Sequence, residues 1–230
     1  MSTPMLPNHI RGIAYALSAP YDTLLASVSS RIAADRLITG PLRLLAWGTD
    51  ASFYRLVPKL AVVVESEEEM IFLLTECARL QTPVTFRAAG TSLWGQAITD
   101  SVLLLLGDQW RRCEVSADAA TITLQPGVIG AEANRRLARY GRKIGPNPAS
   151  IDTTMIGGIA ANNSSGMCCG SAQNSYNTVA GIRVVLADGT VLDTRDPASR
   201  AAFIERRSDL VQGLGRSRSQ ATVPGQGRPN

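Results

Sequence analysis

The sequence predicts an α+β protein. Three observations carry that prediction. Short aliphatic runs at 58–64 and 83–86 flank a stretch with helical periodicity, a β-α-β pattern. Two pairs of alternating strands, within 112–125 and 179–194, are joined by polar turns. Finally, the 230 residues are 45% hydrophobic and 18% charged, enough apolar material for a buried core.

The elements follow in order. Residues 1–40 read as a helical leader. Asp22 is placed to cap a helix over 23–36, with Leu24, Leu25, Val28 and Ile32 on one face, and Thr39-Gly40-Pro41 closes it. Residues 41–125 form a first subdomain. Its first strand, 58–64, is entered by a proline. Ser66 lies three before Glu69, a capping box, and the helix that follows points Met70, Ile71, Leu73, Leu74, Cys77 and Ala78 inward before ending near Gln81. A second strand, 83–86, runs into a glycine-containing loop, and Val102 to Leu106 is a third. Strands at 112–116 and 121–125 close the subdomain. Residues 126–207 form a second subdomain: a helix over 129–140 stopped by Gly141, a long Gly-, Asn-, Ser- and Pro-rich loop over 145–178, and a hairpin turning at Asp188-Gly189. Residues 208–230, dominated by Gly, Ser, Arg, Gln and Pro, are expected to be a disordered tail.

Composition excludes several function classes. The longest aliphatic run, Val102 to Leu106, is far short of the roughly 20 residues of a membrane helix. No secretory signal precedes the first helix. The four cysteines, Cys77, Cys113, Cys168 and Cys169, form no CxxC pair, which argues against a disulfide scaffold, a zinc site or an iron–sulfur cluster. The single histidine, His9, lies in the leader, so a Ser-His-Asp hydrolase or a His-ligated metal enzyme lacks its central residue. The net charge is +4, but the arginines are scattered near carboxylates and not interleaved with aromatics, so nucleic acid is not the expected partner. The expected compartment is the cytoplasm, peripheral to the inner membrane if a partner holds it there.

Two segments carry chemistry. Arg87 to Gln96 follows a strand, and Gly90 and Gly95 permit positive φ and close approach of the backbone to a ligand. Successive N–H groups in such a turn form an anion nest, and Thr91, Ser92 and Gln96 add neutral donors, a combination suited to a pyrophosphate. It is neither a P-loop nor a Rossmann fingerprint. Trp94 is expected to pack as a core aromatic beside this loop. The second segment is GPNPASID at 145–152 followed by TTMIGGIAANNSSG at 153–166. Gly157-Gly158 removes side chains where a flat ring or phosphate lies against the main chain. Asn162, Asn163, Ser164 and Ser165 offer uncharged hydrogen bonds. Such a stretch buries little apolar surface of its own and gains order from a large polar ligand.

Together these motifs resemble the FAD-binding module of the vanillyl-alcohol-oxidase flavoprotein superfamily, the PCMH type, over residues 36–207. The pattern is RxxGTSLxGQ, then QPGV, GPNPAS-D, IGGIAANNSSG and a strand with ADG. NNSSGMCCGSAQNSY is similar to FAD-linked D-lactate and other 2-hydroxy-acid dehydrogenases. The resemblance implies FAD held between two α+β subdomains. Arg87, Ala88, Ala89, Gly90, Thr91, Ser92, Gly95 and Gln96 would wrap the pyrophosphate. Pro126 and Gly127 would border the flavin, and Pro146, Ser150 and Asp152 the ribityl chain and pyrophosphate. Gly157, Gly158, Ala160, Asn162, Asn163, Ser164 and Gly166 would line the dinucleotide and ring system. The backbone near Ile182 would meet the adenine.

The same resemblance implies hydride transfer from a 2-hydroxy acid to flavin N5, with a quinone, cytochrome or iron–sulfur protein as electron acceptor. Histidyl flavin attachment in the first loop is excluded, since Ala88 and Ala89 stand there. Cys168 and Cys169 are expected to be free thiols. Nothing after Arg207 resembles the family's substrate cap, so the module is expected to be incomplete at the C-terminus, and no catalytic residue is assigned. Three alternatives stand beside this reading: a truncated, non-catalytic fragment, aggregating or molten when isolated; the FAD subunit of a split enzyme; and the same fold with other chemistry, as in UDP-sugar enolpyruvate reductases.

Overall fold

The computed structural model describes residues 17–166, 170 and 172–221, and side chains as far as 214. His9, Cys168 and Cys169 lie outside the described residues. The chain divides into two units. The first runs to Thr178 and includes Ala187–Gly189; the second comprises Val179–Leu186 and the residues from Thr190 onward. The subdomain boundary expected at residue 125 thus falls within the first unit.

The first unit begins with α1 (Tyr21–Val28). This helix starts earlier and stops sooner than the sequence predicts, and Asp22 sits inside its first turn, not at its cap. The Ser29 and Ser30 hydroxyls donate to the carbonyls of Leu25 and Ser27, and so occupy acceptors at the end of the helix. The chain resumes as a 3-10 turn at Ala34–Arg36, then β1 (Leu37–Ile38) and α2 (Pro41–Ala46). Leu24, Val28 and Ile32 are buried as expected.

Strand β2 (Leu60–Val64) leads to α3 (Glu67–Arg79). The Ser66 hydroxyl accepts from the Glu69 N–H, as the capping box requires. The Glu69 carboxylate reaches back to the Glu65 N–H at 2.8 Å and takes both forks of Arg36 at 2.7 Å. Met70, Leu73, Leu74 and Cys77 are buried; Ile71 is only half-buried, and Ala78 is exposed against expectation, because it lies on the solvent side of the stripe they define.

Strands β3 (Val84–Arg87) and β4 (Val102–Leu106) complete a four-stranded sheet of order β1-β2-β4-β3. β2 and β3 both run parallel to β4, with Val64 opposite Leu106 and Arg87 opposite Leu105. Their carboxyl ends therefore share one edge, and the loop after Arg87 leaves from it. Ala61, Leu103 and Leu105 pack with Ile38, Leu44 and Trp47, while the alternate residues Leu60, Val62 and Leu104 are equally buried. Burial on both faces explains why β2 and β4 read as continuous aliphatic runs. Each such side chain contributes about 1.5–3 kcal/mol.

The hairpin of β5 (Cys113–Val115) and β6 (Ile122–Leu124) follows. Helix α4 (Gly130–Ala138) buries Ala133 and Leu137. The segment expected to be one long loop contains α5 (Ile156–Ala161) and α6 (Ser175–Thr178). Gly-Gly argues against a helix by propensity. Here tertiary bonds override it: the Ile156 N–H donates to Val128 O at 2.8 Å and the Gly157 N–H to Pro126 O at 2.9 Å.

In the second unit β7 (Arg183–Val185) pairs antiparallel with β8 (Val191–Asp193). Helix α7 (Pro197–Arg206) is capped by Asp196, which accepts from Ala198 and Ser199 N–H. Helix α8 (Ser208–Ala221) replaces most of the disordered tail that composition predicts. It starts again just after α7, with Val211 N–H donating to Arg207 O at 3.1 Å. Residues 222–230 lie outside the described residues.

Candidate functional site

The loop after β3 is built on Arg87. Its Nη1 donates to Thr49 O at 2.8 Å and Ala97 O at 3.3 Å, and the guanidinium lies 5.2 Å from the Trp47 ring centre. Gly90 adopts φ +70°, and a Cβ there would fall on the Arg87 guanidinium, so glycine is required twice over. Burial pushes the Arg87 pKa down, partly offset by Asp50. Asp50 in turn accepts from Ser52 N–H at 2.8 Å and Ala97 N–H at 3.4 Å. Among the described residues, Arg87 Nε is the one buried side-chain polar atom without a partner. Thus a guanidinium is fixed beneath the turn of the loop with part of its donor capacity unused.

Above it, the backbone N–H groups of Ala89, Gly90, Thr91, Ser92 and Leu93 have no acceptor among the described residues. Five successive donors without an internal acceptor leave this turn able to receive an anionic ligand. Ser92 Oγ donates to Gln96 Oε1 at 2.9 Å and accepts from Trp94 N–H at 3.2 Å, which closes the loop on itself. Gly95, at φ +71°, passes so close to Tyr54 that a Cβ would lie 3.0 Å from its ring. Trp94 is 81% exposed, not packed in the core, because the loop that carries it stands at the sheet edge.

The second motif comes up to the first. Thr91 and Thr154 share a hydroxyl hydrogen bond of 3.2 Å, and Thr154 is bonded in turn to Ser150. Gly158 faces Ala88: a Cβ built on Gly158 would lie 3.6 Å from the Ala88 Cβ, an ordinary contact. Gly157 is different. Its Cβ would come within 2.9 Å of the Pro126 Cβ, so this glycine serves the docking of α5 on 126–128. Gly127 is held by its N–H to Trp110 O at 2.9 Å, and a Cβ there would meet that carbonyl.

The chain beyond α5 is pinned by small polar groups. Asn163, at φ +47°, accepts from Tyr176 N–H through Oδ1 at 2.9 Å. Ser175 Oγ donates to Ile159 O and Ser164 O, each at 3.0 Å. Asn147 N–H donates to Ser165 O at 2.8 Å, and Gly166, at φ +143°, leaves no room for a Cβ against the Asn147 carbonyl. Pro146 is buried beneath this contact. Ala160 is half-buried on α5, and Asn162 and Asp152 are exposed.

The structure therefore joins Arg87–Gln96, Pro126–Gly127, Ser150 and 157–166 into one connected set within the first unit. Ile182 belongs to the second unit, where its N–H donates to Thr194 Oγ1 at 2.8 Å and its carbonyl accepts from Thr194 N–H at 2.9 Å. Sequence reasoning missed Thr154, Thr49 and Asp50. The first bridges the two motifs through a hydroxyl, and the others brace Arg87 through a carbonyl and a carboxylate. Only the run Gly48-Thr49-Asp50, which contains turn-forming residues, hinted at the latter pair.

A phosphate-bearing dinucleotide fits these residues. The amides of 89–93 offer neutral donors, the Arg87 guanidinium supplies positive potential, and Gly158 leaves main chain open beside Ala88. Comparison with known proteins agrees. The glycolate oxidase subunit GlcD of Bacillus subtilis is 30% identical over 143 residues, covering 61% of this chain and 30% of that protein. The D-lactate dehydrogenase of Archaeoglobus fulgidus is 28% identical over 135 residues, covering 58% of this chain and 30% of that protein. The chain spans about 30% of the length of these curated relatives. A solved structure of alkyldihydroxyacetonephosphate synthase shares the fold, with a TM-score of 0.66 at 20% identity over 84% of this chain and 37% of that one. The model of the FAD binding domain matches residues 58–195, more than half of the sequence, and the chain belongs to that family of FAD-binding domains.

Proposed function

We propose that this chain is the FAD-holding part of an oxidoreductase that acts on a small 2-hydroxy acid of the D-lactate or glycolate type. The observation that carries the cofactor half is the row of unpaired N–H groups from Ala89 to Leu93 above the half-buried Arg87. The substrate half rests on the relatives named glycolate oxidase subunit and D-lactate dehydrogenase.

FAD supplies the redox chemistry when bound, accepting a hydride from the substrate carbon that bears the hydroxyl. The protein's own residues bind and orient. The Ala89–Leu93 amides donate to the pyrophosphate, and Arg87 holds a positive charge under them without leaving its bonds to Thr49 and Ala97. Thr91 and Ser150, tied through Thr154, fix the spacing of the two motifs beside the ribityl chain. Gly158 and Ala160 would present main chain and a methyl to the ring system, while Gly127, packed over Trp110, would set the path of the chain beside it. Ser164 and Gly166 hold the far wall through Ser175 and Asn147. A quinone, cytochrome or iron–sulfur protein is the proposed electron acceptor.

A second reading is favoured by the surface beside the loop. Phe53, Leu93 and Trp94 are 101%, 69% and 81% exposed. They stand on two segments that meet where Gly95 approaches Tyr54, and exposed apolar side chains on adjoining segments are of the kind that another segment or chain covers. On this reading the chain binds FAD but turns over substrate only with that partner.

Titration of the purified chain with FAD, followed by flavin fluorescence and the visible spectrum, tests the proposal. Saturable binding with a structured flavin band, weakened by Gly158→Trp, is expected. Failure to bind at tens of micromolar overturns it. Reduction of the bound flavin by D-lactate or glycolate with this chain alone removes the second reading.

A further inference from the structure

We infer that the cleft between α4 and β5 is a second anion site, built for a small dianion that carries a phosphate group. The cleft encloses about 320 Å³ and is lined by Cys113, Val115, Arg135, Arg136 and Arg139. It is separate from the flavin loops, which contribute none of these residues.

The geometry follows from two periodicities. Cys113 and Val115 alternate on one face of β5, while Glu114 between them points away and pairs with Arg112 at 3.5 Å. On the helix, Ala133 and Leu137 face the core, and Arg135, Arg136 and Arg139 come out beside the hairpin. Arg135 and Arg139 are one turn apart, a like-charge spacing that destabilises a helix unless something neutralises it. Among the described residues, Arg136 is the one of the three with a carboxylate partner, Glu132 at 3.0 Å. Among the described residues Arg135 has no ion pair, and Arg139 lies over its neighbour Tyr140, 4.7 Å from the ring centre. Arg135, Arg136 and Arg139 are all exposed, and with Glu132 paired to Arg136 and Glu114 to Arg112 the rim of the cleft keeps a net positive charge. Rigid guanidinium forks match the oxygens of a phosphate better than lysine ammoniums do. The volume admits a phosphate with a small organic group.

Cys113 gives a local readout. The full chain is alkylated with a maleimide in the presence of rising inorganic phosphate, and modification of each cysteine is mapped by peptide mass spectrometry. Cys77, 2% exposed and with its thiol pushed up to about 11 by burial, stays unmodified and reports an intact fold. Phosphate is expected to protect Cys113 with half-protection at about 1 mM or below. Phosphate captured by the flavin loop does not register at Cys113. Replacing both Arg135→Gln and Arg139→Gln is expected to raise the half-protecting concentration about tenfold or more, and Glu132→Gln to lower it about threefold. The inference is overturned if chloride at matched ionic strength protects equally, if the double substitution changes nothing, or if malonate protects as well as phosphate.

Discussion

Gly158→Ala separates a glycine that serves the fold from one that serves a ligand. In the structure a methyl at this position meets only the Ala88 Cβ at 3.6 Å and the Thr154 Cγ2 at 4.0 Å. Both are ordinary van der Waals distances, so the protein itself does not forbid alanine. Gly158 lies inside α5, where alanine is favoured over glycine by about 0.5–1 kcal/mol. For a chain of this size that gain raises Tm by roughly 1–4 °C. If the flavin or its pyrophosphate rests against the main chain here, the same methyl intrudes on it, and FAD affinity falls about tenfold or more, ~1.4 kcal/mol. Gly157→Ala is the companion. Its methyl comes within 2.9 Å of the Pro126 Cβ, and overpacking of that kind costs about 1–3 kcal/mol, more than the helix gains. Thermal unfolding without flavin, followed by circular dichroism, is measured for both, together with flavin titration. The expected pattern is a stabilised Gly158→Ala that binds FAD poorly, beside a destabilised Gly157→Ala. A Gly158→Ala protein with lowered Tm, or with unchanged FAD affinity, refutes the assignment of Gly158 to the cofactor face.

Three further outcomes follow from the same geometry. Gly166→Ala places a Cβ against the Asn147 carbonyl at φ +143° and is expected to cost about 2 kcal/mol or more, read as a lowered urea midpoint. Arg87→Met removes the hydrogen bonds to the Thr49 and Ala97 carbonyls and is expected to cost about 1–3 kcal/mol and to weaken FAD binding; an unchanged midpoint contradicts its role as a strut. Stability is expected to fall in acid. The Arg79 guanidinium and the Ser27 hydroxyl lower the Glu76 pKa from 4.5 to about 2. The Arg36 fork lowers that of Glu69, and hydrogen bonds from Ser52 and Ala97 outweigh burial to lower that of Asp50. A carboxylate depressed in the folded state stabilises above its unfolded pKa and loses that contribution as pH falls through its folded one. Tm should therefore drop between about pH 4.5 and 2, and less steeply in Glu76→Gln.

Much of the fold can be read in the sequence because its signals are local. The capping box at Ser66 and Glu69, the aliphatic runs of β2 and β4, and the Asp188-Gly189 turn each depend on residues within a few positions of one another. Errors arose where distant parts of the chain decided the outcome. α5 contains a Gly-Gly pair that propensity assigns to a loop, yet its first two N–H groups are taken by carbonyls of 126–128, some thirty residues upstream. α8 has the composition of a tail, yet its first rung, Val211 N–H to Arg207 O, is set on the residue that ends α7. α1 stops at Val28 through the hydroxyls of two serines that apolar periodicity does not register. At the site the two glycine-rich motifs were evident. Thr154 was not, because a single hydroxyl that joins two motifs 63 positions apart leaves no pattern in either.

That contrast explains why candidate cofactor residues stand out in the sequence while no catalytic group does. The proposed cradle works mostly through backbone N–H groups, and what the sequence must supply there is the absence of side chains. Gly90 clears space over Arg87, Gly127 over Trp110, and Gly166 over Asn147. These glycines serve the chain's own packing, so their presence reports the loop path and not the ligand. Gly158 is the exception, since nothing in the protein within 3.6 Å demands it. Arg87 is the one charged residue in the first motif, and its Nη1 is taken up by the Thr49 and Ala97 carbonyls. Its charge acts at a distance through the unpaired amides above it. A site of this kind binds and orients a cofactor that brings its own reactivity. Proton transfer and recognition of a substrate carboxylate need side chains that reach into the same space, and none of the residues that join the two motifs offers a free acid, base or guanidinium for that task.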